Sequence, residues 1–222
     1  MDLTDSAALE ATTLATVAAT VAPTGVTLSS EDFEPLYAAQ EDPWHADTSW
    51  YEQRKHRLTV AALPRKRYHR AVEPGCSTGA LTALLAERCD EVFAFDFVER
   101  AVEAAQARVG DLEHVHVVNA RFPEYWPYGG GDLVVWSEVA YYLSDVGWDV
   151  ATSGLDRWLE PGGHVVAVHS TGDDTGDTGH PRPGTCVGRQ LDQLAFLDRL
   201  VGLVDEHFEL GVWVRRPPEL LV

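Results

Sequence analysis

Basic residues are scarce in this 222-residue chain: 17 Lys and Arg stand against 35 Asp and Glu, a formal charge of −18. So negative a surface repels phosphate backbones, and nucleic acid is not an expected partner. The charge would equally suit a source with a saline or acid-rich proteome. Cysteine is scarce as well. Cys76, Cys89 and Cys186 are odd in number, far apart and form no CxxC pair. That argues against a disulfide framework or a zinc site and for reduced thiols in a cytoplasmic protein. No membrane span is expected. The Ala/Thr/Val-rich start carries Asp2 and Asp5 where a signal peptide needs basic residues, and Glu10 and Pro23 break it. There is no internal repeat, and this length suits one good core better than two domains.

What basic charge exists is concentrated. Seven of the 17 basic residues (Arg54, Lys55, Arg57, Arg65, Lys66, Arg67 and Arg70) fall between Arg54 and Arg70. They form either a solvated helix face and turn or a local grip on an anion. Seven Trp and seven Tyr can fill a core or wall a small-molecule pocket.

Residues 1–28 are low in complexity and read as a weak helix or poorly ordered tail. Residues 29–222 read as one domain, with helices over 29–70 covering the site and an α/β core over 71–222. Ser29-Ser-Glu-Asp32 looks like a helix start, and Tyr51–Leu63 has helical composition up to Pro64. Strands are expected at 71–73, 91–96, 114–118, 132–136 and 164–169. Helices are expected at 80–88, 100–109, 145–159 and, as a long amphipathic one, 189–204. Closing strands at 208–215 and 219–222 flank Pro217-Pro218. Pro161-Gly-Gly163 is a turn, and 171–184 a Gly/Asp/Pro loop. Strands alternating with helices at this spacing make a doubly wound, mostly parallel sheet, with an antiparallel hairpin at its end.

Between the first strand and the first core helix lies Ala71-Val-Glu-Pro-Gly-Cys-Ser-Thr-Gly-Ala-Leu81. A pyrophosphate turn needs G-x-G-x-x-G, so that backbone can approach the phosphates at a helix N-terminus. Gly75 and Gly79 lack that spacing. The pattern is instead E-x-G-x-S-x-G, with Glu73 leading the loop and Asp96 closing the second strand. A strand-end carboxylate accepts hydrogen bonds from ribose hydroxyls. An acid at Glu73 disfavours a pyrophosphate and favours an ammonium. Such a loop calls for a ligand with a ribose and a positive charge, and S-adenosylmethionine has both.

Taken in order, Glu73-Pro-Gly-Cys-Ser-Thr-Gly79, Asp96, Asp132-Leu-Val-Val-Trp-Ser-Glu138 and Leu159-Glu-Pro-Gly-Gly163 resemble the successive motifs of class I S-adenosylmethionine-dependent methyltransferases. The resemblance covers about residues 40–222. Within that class, Asp42-Pro-Trp44, Tyr51-Glu-Gln-Arg-Lys55, Glu73-Pro-Gly-Cys-Ser77, Phe122-Pro-Glu-Tyr-Trp-Pro127 and Ser137-Glu-Val-Ala-Tyr-Tyr-Leu143 resemble the nodulation protein S type. Rhizobial members of that type N-methylate a chitooligosaccharide amine. The resemblance implies a Rossmann-like, seven-stranded sheet with an antiparallel last strand. It implies methyl transfer from S-adenosylmethionine, leaving S-adenosylhomocysteine, to a small-molecule acceptor. An amine of a sugar or glycoconjugate comes first; an alcohol or carboxylate of another metabolite is the alternative. A non-catalytic S-adenosylmethionine-binding protein is the rival from another class.

The resemblance also implies roles. Gly75, Cys76, Ser77 and Gly79 keep the loop close to the donor's methionine part, with Glu73 toward its amino group and Ser77 offering a hydroxyl. Asp96 binds the ribose and Phe97 covers the adenine. The adenine edge departs from pattern: relatives place an Asp before Pro-Glu-x-Trp-Pro, where this chain has Arg121 or, counted along the strand, Asn119. Arginine cannot accept a hydrogen bond, which leaves backbone N–H of Arg121 or Phe122 for a ring nitrogen. Tyr51 and Arg54 would close over the donor, Arg54 as a bidentate carboxylate clamp. Ser137 lies where donor and acceptor meet. Glu138 and His169 are candidate bases or acceptor ligands, with Tyr141, Tyr142 and Trp44 as pocket walls. No metal site is expected: His169, Asp173, Asp174, Asp177 and His180 suit a mobile acidic lid better.

Overall fold

The computed structural model describes residues 30–172 and 182–217. The 1–28 tail, Asp173, Asp174, Asp177 and His180 of the acidic loop, and the 219–222 strand lie outside these residues. Helices α1 (Ser30–Ala39) and α2 (Trp50–Ala61) come first. The core then runs β1 (Tyr68–Pro74), α3 (Ala80–Ala86), β2 (Cys89–Asp96), α4 (Glu99–Val109), β3 (Val115–Asn119) and β4 (Gly131–Ser137). A 3-10 turn (Ala140–Tyr142), α5 (Asp145–Trp158), β5 (Leu159–Ser170), α6 (Gly184–Leu191), β6 (Leu197–Val204) and β7 (Phe208–Arg215) complete it.

The strands form one seven-stranded sheet in the order β3-β2-β1-β4-β5-β7-β6. All pairings are parallel except those of β7, which runs against both β5 and β6. The central strands carry continuous apolar runs because both sheet faces are covered. In β4, Leu133, Val134, Val135 and Trp136 are all fully buried. Alternation divides them: Val134 and Trp136 pack with Trp148, Leu155 and Trp158 of α5 and Val187 and Leu191 of α6, whereas Leu133 and Val135 pack with Leu81 and Leu85 of α3. Ser49 caps α2, its hydroxyl accepting from Glu52 N at 3.4 Å, and Ser144 caps α5 likewise through Gly147 N at 3.1 Å.

One expectation is overturned. The long helix over 189–204 is in fact the end of α6, a turn, and strand β6. Leu191, Leu194 and Leu197 recur at helical spacing, which mimics an amphipathic helix. A bulge between Arg199 and Val201 then shifts the ladder and hides the two-residue alternation of Val201 and Leu203, both packed on the sheet. Pro161-Gly-Gly163 likewise sits within β5, as an irregularity between the pairs Gly131↔Leu159 and Leu133↔His164.

Chain order moves outward from β1 to β3 and then crosses to β4. Strand order therefore reverses between β1 and β4, and in such sheets the crevice outside the carboxyl ends is where a ligand lies. Pro74, Asp96, Asn119 and Ser137 all end strands at that edge. Among the described residues, no helix is long and apolar enough to cross a membrane.

Candidate active site

The loop after β1 is held in an unusual conformation from both sides. Gly75, Ser77 and Gly79 have φ of +68°, +49° and +77°. Gly75 N and Cys76 N both donate to Phe95 O, at 2.8 and 3.1 Å, tying the loop to β2. The buried Cys76 side chain packs with Ala94 and Ala105, and burial pushes its thiol far up. It anchors the loop as a small apolar group. A Cβ on Gly79 would meet Ala105 Cα at 3.1 Å, so glycine lets α4 close on the loop. Ser77 has no such excuse; a left-handed serine costs roughly 1–2 kcal/mol. Its contacts offset that. Ser77 N donates to Asp96 Oδ2 at 3.1 Å, and its hydroxyl shares a 2.8 Å hydrogen bond with Tyr37 of α1, which also accepts from Trp44 Nε1 at 3.1 Å.

Asp96 is buried, and its carboxylate accepts backbone N–H groups: Oδ1 from Val98, Oδ2 from Ser77, with Phe97 N–H bonding to it as well. Burial raises its carboxyl to about 6 against these backbone hydrogen bonds. A carboxylate offers about four acceptor sites, so it can still take a further donor. The carboxylate borders a pocket lined by Phe33, Gly75, Phe95, Asp96, Phe97, Ala120, Phe122, Val139, Tyr142 and Leu143. Phe33 of α1 meets the Phe97 and Tyr142 rings edge-on at 5.5 and 5.3 Å. The Arg121 guanidinium stands 5.4 Å from the centre of the Phe97 ring, and Asn119 Nδ2 donates to Asp96 O at 3.2 Å. Glu73 lies beneath the loop. It is buried, accepts the Thr82 hydroxyl at 2.6 Å, and burial raises its carboxyl to about 8, with Asp96 adding to the rise.

Across the strand reversal, β4 ends at the half-buried Ser137 and the chain turns through Glu138, at φ +52°. Val139 follows, its Cγ2 only 3.2 Å from where a Cβ on Gly75 would stand. Glu138 Oε1 pairs with Lys55 Nζ at 2.7 Å and Oε2 accepts Ser170 N at 3.0 Å. The Tyr141 hydroxyl also bonds to this carboxylate. Burial would raise the Glu138 carboxyl, but the Lys55 ammonium and the hydrogen bonds from Lys55 and Tyr141 outweigh it and hold it at about 2. Lys55 is itself buried, pairs with Glu52 Oε1 at 2.6 Å and lies 4.7 Å from the Tyr51 ring centre. His169 is buried against the Tyr141 ring, and its Nε2 accepts Ala140 N at 3.1 Å.

Two candidates lie outside the pocket. Tyr51 directs its hydroxyl to His207 O at 3.4 Å, and Arg54 pairs with Asp205 at 2.7 Å beside the Phe208 ring. Both reach the β6–β7 turn, and neither lines the pocket.

The sequence model of Nodulation protein S (NodS) matches residues 34–166, more than half of the chain. The chain belongs to the NodS family. Nodulation protein S of Rhizobium tropici is 32% identical over 130 residues, 58% of this chain and 55% of that protein. For the Sinorhizobium fredii protein the identity is 34% over 130 residues, 58% of this chain and 60% of the relative. The chain thus spans little more than half the length of the curated relatives it matches. The crystal structure of N-methyltransferase NodS from Bradyrhizobium japonicum, in complex with S-adenosyl-L-homocysteine, superposes with a TM-score of 0.74 at 26% identity, covering 84% of this chain and 98% of that one. A Pseudomonas syringae structure solved as a candidate methyltransferase is 38% identical with a TM-score of 0.65, over 75% of this chain and 99% of that one.

Within this NodS-family fold, sequence reasoning brought Asp96, Phe97, Gly75, Phe122 and the Ser137–Tyr142 segment to one edge. It missed Phe33 and Tyr37, whose contacts come from α1 far along the chain. It also missed Lys55. The basic cluster containing it divides: Arg65, Arg67 and Arg70 pair with Asp132, Asp90 and Glu91 near the surface, whereas Lys55 is buried. The Glu52–Lys55 spacing was the available signal, but a solvated helix presents the same pattern.

Proposed function

We propose that this NodS-family protein transfers a methyl group from S-adenosylmethionine to an amine of a small-molecule acceptor, a sugar or glycoconjugate amine in the first instance. The observation that carries this is the buried Asp96 carboxylate, which ends β2 and lines an aromatic pocket at the strand reversal. The residues fit the donor. Asp96 would take the ribose hydroxyls, Phe97 and Phe122 would flank the adenine, and side-chain-free Gly75 would let backbone approach the methionine part. Glu73, sealed beneath the loop and protonated up to about pH 8, supports the loop through Thr82 and offers the donor's ammonium no charge. Bound there, S-adenosylmethionine would supply both the electrophilic methyl carbon and the leaving group.

The protein's own work is then alignment and exclusion of water, worth up to roughly 7–11 kcal/mol. The acceptor side favours nitrogen. Glu138 is clamped by Lys55 and Ser170 N, and His169 Nε2 is engaged by Ala140 N. Neither is poised to strip a hydroxyl proton, which an alcohol acceptor requires. An amine that arrives neutral brings its own lone pair. In this reading α1 and α2 cover the site, and the three free thiols suit a reducing cytoplasm.

Calorimetry with S-adenosylmethionine and S-adenosylhomocysteine tests the donor, and no binding of either would end this reading. A screen of amino sugars and matched hydroxyl sugars, read by a one-methyl mass gain, tests the acceptor. Gain only on hydroxyl acceptors would overturn the amine assignment.

A further inference from the structure

Lys55 lines no part of the donor pocket, yet its charged side chain is fully buried. α2 delivers its ammonium between Glu52 Oε1 at 2.6 Å and Glu138 Oε1 at 2.7 Å, against the Tyr51 ring. Sequestering three charges from water is expensive, and an apolar trio of similar volume often serves stability as well or better. Stability alone is therefore a poor reason for the arrangement, and its location offers a better one. Glu138 directly follows β4 at the strand reversal, in a left-handed conformation that costs energy for any residue but glycine. Its carboxylate bonds to the Tyr141 hydroxyl, and the Tyr141 hydroxyl to that of Tyr142. Tyr142 and Val139 line the pocket. A chain of polar contacts thus runs from α2 through Glu138 to the pocket wall.

We propose that Lys55 is a positioning residue, clamping Glu138 at the end of β4 and, through Tyr141, fixing Tyr142 against the donor pocket. The proposal rests on the methyltransferase reading for what the pocket holds. Glu138 is faced by Lys55, Glu52, Tyr51 and His56 from α2, by Tyr141 and Tyr142 from the 3-10 turn, and by His169 and Ser170 N from β5. Lys55 is the positive charge that Glu138 touches. Without it, the Glu138 carboxyl becomes easier to protonate, and the hold on Tyr141 weakens as pH falls.

The test uses the full chain and S-adenosylhomocysteine as the probe, with affinity measured by calorimetry from pH 5 to 8. Lys55→Met alone would leave Glu52 and Glu138 facing each other without a counter-charge and could fail to fold. The double variant Lys55→Met/Glu52→Gln avoids this, because it keeps the cluster's net charge while removing the clamp. It should bind about tenfold more weakly. The gap from wild type should widen below pH 6, beyond the loss that Asp96 imposes on both proteins. Tyr141→Phe breaks the same chain one link further on without touching a buried charge and should weaken binding similarly, whereas Lys55→Arg should restore it. Affinities for the double variant and Tyr141→Phe within twofold of wild type, with the same pH profile, would overturn the proposal. Failure of wild type itself to bind the probe would instead remove the methyltransferase reading, and this proposal with it.

Discussion

Replacing Glu73 by Gln should make the ligand-free protein more stable at alkaline pH and nearly unchanged at acid pH. The folded carboxyl, sealed under the loop, keeps its proton up to about pH 8, whereas the unfolded chain releases it near the ordinary value of 4.5. Between those values the unfolded state binds fewer protons, so wild-type stability falls as pH rises. The separation of 4.5 from about 8, at about 1.4 kcal/mol per tenfold change, caps the loss at about 5 kcal/mol. The contribution is fully present below pH 4.5 and gone above 8. Glutamine cannot ionise, and its carbonyl can still accept the Thr82 hydroxyl. The gap between variant and wild type should thus grow from about 1 kcal/mol at pH 5 to about 4–5 kcal/mol at pH 8.5. Urea unfolding at a series of pH values measures it. A poorly satisfied amide N–H would lower the variant's whole curve by a constant, so the slope carries the result. Parallel curves would refute both the burial of this carboxyl and the linkage drawn from it.

Asp96→Asn should weaken S-adenosylmethionine binding at least tenfold, about 1.4 kcal/mol, by calorimetry; unchanged affinity would remove the ribose role. In wild type, the same affinity should decline as pH drops through about 6, where the Asp96 carboxyl takes up its proton. Gly79→Ala must place a Cβ 3.1 Å from Ala105 Cα at φ +77° and should cost about 1–3 kcal/mol in chemical denaturation. Tyr37→Phe removes the hydroxyl shared by Ser77 and Trp44. It should cost about 1–2 kcal/mol, read as a fall in Tm of about 2–8 °C.

Where residue type alone determined the local chemistry, the sequence was legible. Gly75, Gly79 and an acid closing β2 mark a strand–loop–helix turn and its ligand edge whatever surrounds them, and the continuous apolar runs of β4 and β5 admit few placements. Legibility failed where tertiary partners decide. The segment 197–204 has helical spacing until its pairing with β7 and the Arg199/Val201 bulge claim it. Lys55 on a helix looks the same in water as between two carboxylates, and Tyr37 meets Ser77 across forty positions. Arg54 had the right chemistry for a carboxylate clamp, but α2 turns it to Asp205.

The close approach of Val139 to Gly75 divides responsibility across the strand reversal. On the β1 side, the pocket is formed by the backbone at Gly75 together with the side chains of Phe95, Asp96, Phe97 and Phe122. On the β4 side it is formed by Val139, Tyr142 and Leu143, in and around the 3-10 turn. The two banks meet at a contact too tight to admit another atom, so a bulkier residue on either one is felt by the other.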